Sequence, residues 1–267
     1  MPADPEKAVT SQSAKKASTG SWVIDLDGVI WLSKNPIAGS ADAVERLRHA
    51  GIRVVFATNN ASPTVASLVD RLGSFGIQAD DSDMVTSSEA AATLIDPGGR
   101  AFVCGDDGIR EALVKRGVEV VTAGPADAVV VGWTRSFDFD LLTKSMEIVR
   151  AGARLIGTNA DATRPIPGGL TPGAGSILAA VTTASGAQPE IAGKPHAPMA
   201  DLVRSKAPDI ALGVGDRLDT DGLFAKELGV PFALVHSGVT PATHGTLDVP
   251  PDLEADDLAG IVDLVLG

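Results

Sequence analysis

Short apolar runs alternate along this chain with segments of helical spacing, and nothing else in the sequence restricts the fold as strongly. Trp22–Leu26, Ile52–Ala57, Ala101–Cys104, Ala128–Val131, Leu155–Ile156, Ile210–Val214 and Phe232–Val235 are dominated by apolar and β-branched residues. They read as strands buried on both faces. In Ser40–Ala50, Ala43, Val44, Leu47 and Ala50 fall on one helical face, with Ser40 as the expected N-cap and Gly51 as the stop. Ser62-Pro63 predicts a second helix running to about Phe75, because proline suits a first helical turn. Ser87–Leu94, Ile109–Arg116, Leu141–Ala151, Ser176–Ser185, Ala197–Ser205 and Asp221–Leu228 carry the same periodicity. Such alternation specifies an α/β fold built on a doubly wound parallel sheet. Ligands of such sheets bind beyond the carboxyl ends of the strands, so the residues just after each run carry the functional information.

Four places near those ends hold unusual chemistry. Asp25-Leu26-Asp27-Gly28-Val29 puts two aspartates two residues apart, facing the same way if strand geometry holds. At ~4 Å and an effective dielectric near ~20 they would repel by roughly 4 kcal/mol, which calls for a cation or a shared proton. Thr58-Asn59-Asn60 offers a hydroxyl and two amides, which can hold an anion by neutral hydrogen bonds. Gly193-Lys194-Pro195 fixes a compact positive charge in a turn. Gly213-Val214-Gly215-Asp216 is followed closely by Asp219 and Asp221, a carboxylate cluster suited to a hard divalent cation. Each feature alone also has an ordinary reading: a solvated turn, a helix cap, a surface lysine, an acidic first turn.

Composition narrows the field. With Lys+Arg 22 against Asp+Glu 34, the formal charge of -12 leaves no basic footprint for nucleic acid or anionic lipid. The single cysteine, Cys104, excludes an internal disulfide and a cysteine-rich zinc site, and its apolar surroundings place it in the core. His49, His196, His236 and His244 show no metal-ligand spacing. No apolar run reaches the ~18 residues of a membrane span, and the first twenty residues lack the apolar core of a secretory signal. Residues 1–20 are expected to be a disordered tail, and the location cytoplasmic. No G-x-G-x-x-G follows the first strand, which argues against a dinucleotide-binding oxidoreductase.

In order, D-x-D-G-V, T-N-N, G-K-P and G-D-x-x-x-T-D resemble the phosphatases of the haloacid dehalogenase superfamily. The flanking residues look like its subfamily IIA, which includes nitrophenyl phosphatase, pyridoxal-phosphate phosphatase, phosphoglycolate phosphatase and glycerol-phosphate phosphatase types. The resemblance spans about Trp22 to Thr240 through VIDLDGVIW, FATNNAS, VTSSEAAA, TNADATRPIPGGLTPGAGSI, IAGKP and VGDRLDTD.

The resemblance implies a Rossmann-like core, 21–96 and 190–267, interrupted by an α/β cap of the C2 type at 97–189. Asp96-Pro97-Gly98-Gly99 is a strong breaker at the first boundary. It implies that Asp25 is a nucleophile forming an aspartyl phosphate and that Asp27 is general acid and base, with a pKa raised by neighbouring carboxylates. It implies Mg2+ held by Asp25, Asp216 and the Asp27 carbonyl, with Asp221 supporting; Asp219 receives no role. Thr58, Asn59, Asn60 and Lys194 would bind the phosphate. Arg164, where relatives carry His, Leu or an aromatic residue, suggests an anionic leaving group; pairing with Asp161 or facing solvent are the alternatives. Gly132-Trp133-Thr134-Arg135-Ser136-Phe137 departs from the usual G-x-D-R-x-F and puts the cap contacts in doubt. The expected substrate is a small acidic or polyol phosphate of the phosphoglycolate or glycerol phosphate type. Pyridoxal phosphate, sugar phosphates and nucleotides are alternatives, and a homodimer is left open. A phospho-accepting receiver domain needs neither Asp27 nor the long insertion. A non-catalytic phosphate-binding module is the remaining reading from a different class.

Overall fold

A computed structural model describes residues 13–166, 169–240 and 250–267. Residues 13–17 are helical (α1). There follow β1 (Ser21–Ile24), a ribbon of β2 (Trp31–Leu32) and β3 (Asn35–Pro36), α2 (Ser40–His49), β4 (Arg53–Thr58), α3 (Val65–Ser74), β5 (Met84–Thr86) and α4 (Ser87–Thr93). Next come β6 (Arg100–Cys104), α5 (Asp107–Lys115), β7 (Glu119–Val121), β8 (Ala128–Val131), α6 (Phe139–Arg150), β9 (Arg154–Gly157), β10 (Thr163–Ile166), β11 (Gly169–Pro172), α7 (Ala174–Ser185) and β12 (Glu190–Ile191). The chain closes with α8 (Ala197–Lys206), β13 (Ile210–Gly215), α9 (Leu223–Leu228), β14 (Phe232–Val235), β15 (Leu253–Ala255) and α10 (Leu258–Leu266). The fold is α/β, a Rossmann-like core with an inserted α/β domain. No helix among the described residues is long and apolar enough to cross a membrane.

Packing divides the chain into two units. The first comprises Met1–Ala57, Val69–Val85 and Ala200–Gly267; the second comprises Thr58–Leu68 and Thr86–Met199. The second therefore contains all of 97–189 and reaches beyond it on both sides.

The six-stranded sheet has the order β15-β14-β13-β1-β4-β5. From β15 to β4 every neighbour is parallel. Strand order reverses between β1 and β13, and a crevice opens outside the carboxyl ends at such a switch point. β1 is buried along its whole length between β13 and β4, with Ile24 level with Val214 and Phe56. Each such buried apolar side chain contributes roughly 1.5–3 kcal/mol, which anchors β1 in the middle of the sheet.

The second sheet has the order β12-β9-β8-β6-β7, again parallel throughout. Its core joins Phe102, Val129, Val131 and Leu155 to Ile148 and Val149 of α6 and Ile177, Leu178 and Val181 of α7. β10 and β11 form a separate antiparallel hairpin.

Three expectations need correction. The tail expected at 1–20 is folded from residue 13: Ala17 is fully buried and its carbonyl accepts the Trp22 indole N–H at 2.7 Å. A buried indole needs an acceptor, and Trp22 draws this segment in. Residues 1–12 lie outside the described residues, as do Pro167, Gly168 and His244. Ser40 is not an N-cap but the first residue of α2; its hydroxyl donates to the Ile30 carbonyl while Gly39 holds the cap at φ 79. The helix expected from Ser62-Pro63 starts at Val65, because Thr64 Oγ1 accepts the Ser67 N–H and caps it.

Candidate active site

Asp25 is the first residue beyond β1, and its N–H still bonds the Val214 carbonyl of β13 at 2.9 Å. Asp216 is the first residue beyond β13. The two strands are neighbours, so their ends bring these carboxylates together at the switch point. A broad π-helical turn, Leu218–Gly222, then carries Asp221 back toward them. Asp25, Asp216 and Asp221 each present an oxygen within 4.8 Å of the others, and all three residues are buried.

Neighbouring groups fix that arrangement. Asp216 Oδ2 accepts the Val239 N–H at 2.6 Å, and Asp221 Oδ2 accepts the Arg217 N–H at 3.1 Å. Gly28 has φ 91, and a Cβ there would stand 2.5 Å from Asp216 Oδ2. The glycine of D-x-D-G is therefore required both by its backbone and by the space it leaves. Asp219, by contrast, is turned away onto the Arg217 guanidinium at 2.9 Å.

Asp27 is exposed, and its side chain is not one of the three clustered carboxylates. Its Oδ1 accepts the Trp31 indole N–H at 2.9 Å. Arg71 stacks on the Trp31 ring at 4.1 Å and donates to the Ser33 carbonyl. Burial pulls the Arg71 pKa down, and the Asp27 carboxylate opposes that shift. Arg71 is thus a cation in electrostatic contact with Asp27. The sequence signal for Trp31 lay inside VIDLDGVIW; nothing marked Arg71.

In the second unit, Thr58 ends β4 and is 2% exposed. Its Oγ1 accepts the Asn60 N–H at 3.0 Å, and Asn60 Oδ1 accepts the Ser62 N–H at 3.3 Å. Asn59 meets Lys194, which is 5% exposed and follows β12. Arg164, on β10, lies over the Trp133 ring at 4.5 Å. Trp133 Nε1 donates to the Pro172 carbonyl of β11, and the Trp133 carbonyl accepts the Ser62 hydroxyl at 3.1 Å. Trp133, the variable position beside the Thr134 that breaks the usual G-x-D-R-x-F pattern, is thereby the platform of Arg164.

The chemistry of the acidic cluster fits Mg2+: hard carboxylate oxygens, buried, few in number. Family models agree with the geometry. Residues 22–119 match haloacid dehalogenase-like hydrolases, and 191–261 match a HAD-hydrolase-like model. A 5'-nucleotidase of Bacillus subtilis is 35% identical over 242 residues, 88% of this chain and 94% of that protein. The chain belongs to the haloacid dehalogenase-like hydrolases. Within them it is a phosphatase of subfamily IIA. This hydrolase is also 33% identical over 229 residues to a dihydroxyacetone phosphatase of Corynebacterium glutamicum, covering 82% of each chain. A solved glycerol phosphate phosphatase of Mycobacterium tuberculosis, in complex with magnesium, superposes with a TM-score of 0.83 at 32% identity, over 92% of this hydrolase and 77% of that chain.

Proposed function

We propose that this phosphatase hydrolyses a small-metabolite phosphomonoester with Mg2+ at the acidic cluster. The convergence of Asp25, Asp216 and Asp221 at the switch point of a parallel sheet carries the reading. An Asp25 oxygen attacks phosphorus, the bond to the leaving oxygen breaks, and an aspartyl phosphate forms on Asp25. Asp27 donates its proton to the leaving alcohol and then removes one from water. That water attacks phosphorus, releases inorganic phosphate and restores the Asp25 carboxylate. The Asp25 and Asp216 carboxylates and the Asp27 carbonyl hold the ion, and Asp221 supports them. When bound, Mg2+ neutralises charge on the phosphoryl group. Thr58 and Lys194 are assigned to hold the phosphoryl oxygens, with Asn60 as a further phosphate ligand.

Segment 97–189 is assigned as the cap that selects the leaving group. Arg164, oriented by Trp133, favours a substrate with a further negative charge, of the phosphoglycolate type, over a neutral polyol phosphate. The names of the relatives, which cover nucleotide, dihydroxyacetone and glycerol phosphates, support a small phosphorylated metabolite.

Phosphate release from a panel of phosphomonoesters, with and without Mg2+, tests the reading. We expect release that needs Mg2+ and is abolished in Asp25→Asn. Full activity in Asp25→Asn, or in EDTA, would remove the nucleophile or the metal from the mechanism. Arg164→Ala should raise KM only for the esters that carry a negative charge besides the phosphate; an equal change for all panel members would show that Arg164 does not read charge.

A further inference from the structure

Asn59 sits beside Thr58, where a phosphate ligand is expected, yet its side chain is already engaged. Its Oδ1 accepts the Lys194 backbone N–H at 2.7 Å, and its Nδ2 donates to the Lys194 carbonyl at 3.1 Å. One amide thus closes two hydrogen bonds on the main chain of a single residue, as a neighbouring strand would. The same Nδ2 lies 3.4 Å from Asp161 Oδ2. The Asn59 carbonyl is held in turn by Asn159 Nδ2 at 2.7 Å and Ser87 Oγ at 2.8 Å.

The fold prepares this junction. β9 and β12 are parallel neighbours, with Gly157 level with Ile191, and the Ala192 N–H continues the pairing to the Gly157 carbonyl. They release Thr158–Asp161 and Ala192–Lys194 side by side onto Asn59. Gly193 permits the approach: a Cβ there would stand 2.4 Å from the Thr158 carbonyl and 2.5 Å from Asn59 Oδ1.

We propose that Asn59 is a positioning residue that acts through Lys194, not by contact with the phosphoryl group, and that Asn159 and Ser87 orient Asn59. The proposal rests on the reading of Lys194 as a phosphoryl-holding group. It fits asparagine in particular: aspartate lacks the donor for the Lys194 carbonyl, and leucine lacks both bonds.

The test is a double-mutant cycle on kcat/KM, with the inhibition constant of inorganic phosphate and the melting temperature recorded for each variant. Lys194→Ala should lose about 100-fold or more, the usual effect of deleting a group that stabilises developing charge. Asn59→Ala should lose about 10-fold or more and weaken phosphate inhibition. In the Lys194→Ala background, Asn59→Ala should change kcat/KM by less than ~2-fold. If the two losses multiply, Asn59 acts independently of Lys194 and the proposal fails. If Lys194→Ala has no effect, the lysine reading itself falls and takes the proposal with it. Asn59→Asp, nearly isosteric, serves if the alanine variant does not fold, with the same expectation. Asn159→Ala should reproduce part of the Asn59 loss, and that loss too should vanish without Lys194.

Discussion

Asp27 illustrates what a single indole N–H can do. An exposed carboxylate samples several rotamers, and the general-acid role proposed for Asp27 requires one of them to face the leaving oxygen. The Trp31 Nε1–Asp27 Oδ1 bond favours a single rotamer, and Arg71 stacked on the same ring keeps Trp31 in place. Trp31→Phe keeps the ring and deletes the bond. A lost hydrogen bond to a charged group costs about 1.5–3 kcal/mol, so kcat should fall by about 10- to 100-fold with KM nearly unchanged. An unchanged kcat would mean that Trp31 only packs. A second residue-scale expectation concerns Cys104, whose thiol burial pushes up to about 11. The folded state then keeps a proton that the unfolded thiol has lost, so stability falls as pH rises from about 9 toward 11, by about 2 kcal/mol at the upper end. Cys104→Ala should flatten that slope in melting curves; an unaltered slope would assign it to other groups. The convergence of Asp25 and Asp216 was legible because each stands directly after an apolar run. Arg71 was not legible, since its partner Asp27 is distant in sequence and no local pattern links them.

At the scale of elements, the long strands and helices were readable because burial imposes a period. The strands Ala128–Val131 and Phe232–Val235 match their expected bounds and the expected helices shift by only a few residues, whereas α10 (Leu258–Leu266) was not expected. β2, β3, β5, β7, β12, β15 and the β10–β11 hairpin went unread, because two to four residues are too few to show a period. α4 carried a signal that could have fixed its start. Thr86 Oγ1 accepts the Glu89 N–H at 3.2 Å, while Glu89 Oε2 accepts the Thr86 N–H at 3.0 Å. This is a reciprocal capping box, visible in VTSSE as T-x-x-E. Thr86→Val should destabilise by about 1 kcal/mol in denaturant unfolding, and a midpoint equal to wild type would show that α4 is held by its packing alone. The helix expected to start at Asp221 is instead preceded by the π-helical turn at Leu218–Gly222. The Gly222 N–H reaches the Arg217 carbonyl at 3.1 Å, and the wider turn sets Asp221 against the Arg217 N–H. Helical spacing says nothing about that wider turn, so the placement of Asp221 needed the coordinates.

For the whole molecule, metal at the acidic cluster, as proposed, would couple stability to the ion. Three carboxylates within 4.8 Å repel pairwise by roughly 3–4 kcal/mol at an effective dielectric near ~20, before any compensating charge is counted. The chain as a whole carries -12, so this is charge concentrated in an already acidic protein. Two effects of opposite sign should therefore separate in melting experiments. Asp216→Asn removes two of the three repulsive pairs while its side-chain oxygen can still accept the Val239 N–H. In EDTA this variant should melt at or above the wild-type temperature. Mg2+ should stabilise the wild type by RT ln(1 + [Mg2+]/Kd), about 2.7 kcal/mol at ~100 times Kd. The same Mg2+ should leave Asp216→Asn nearly unmoved, because hard oxygen ligands of this number and charge are what the ion binds. An equal rise in both proteins would place the ion elsewhere. A variant that melts well below wild type in EDTA would show that local hydrogen bonds, and not charge repulsion, dominate the energetics of this cluster.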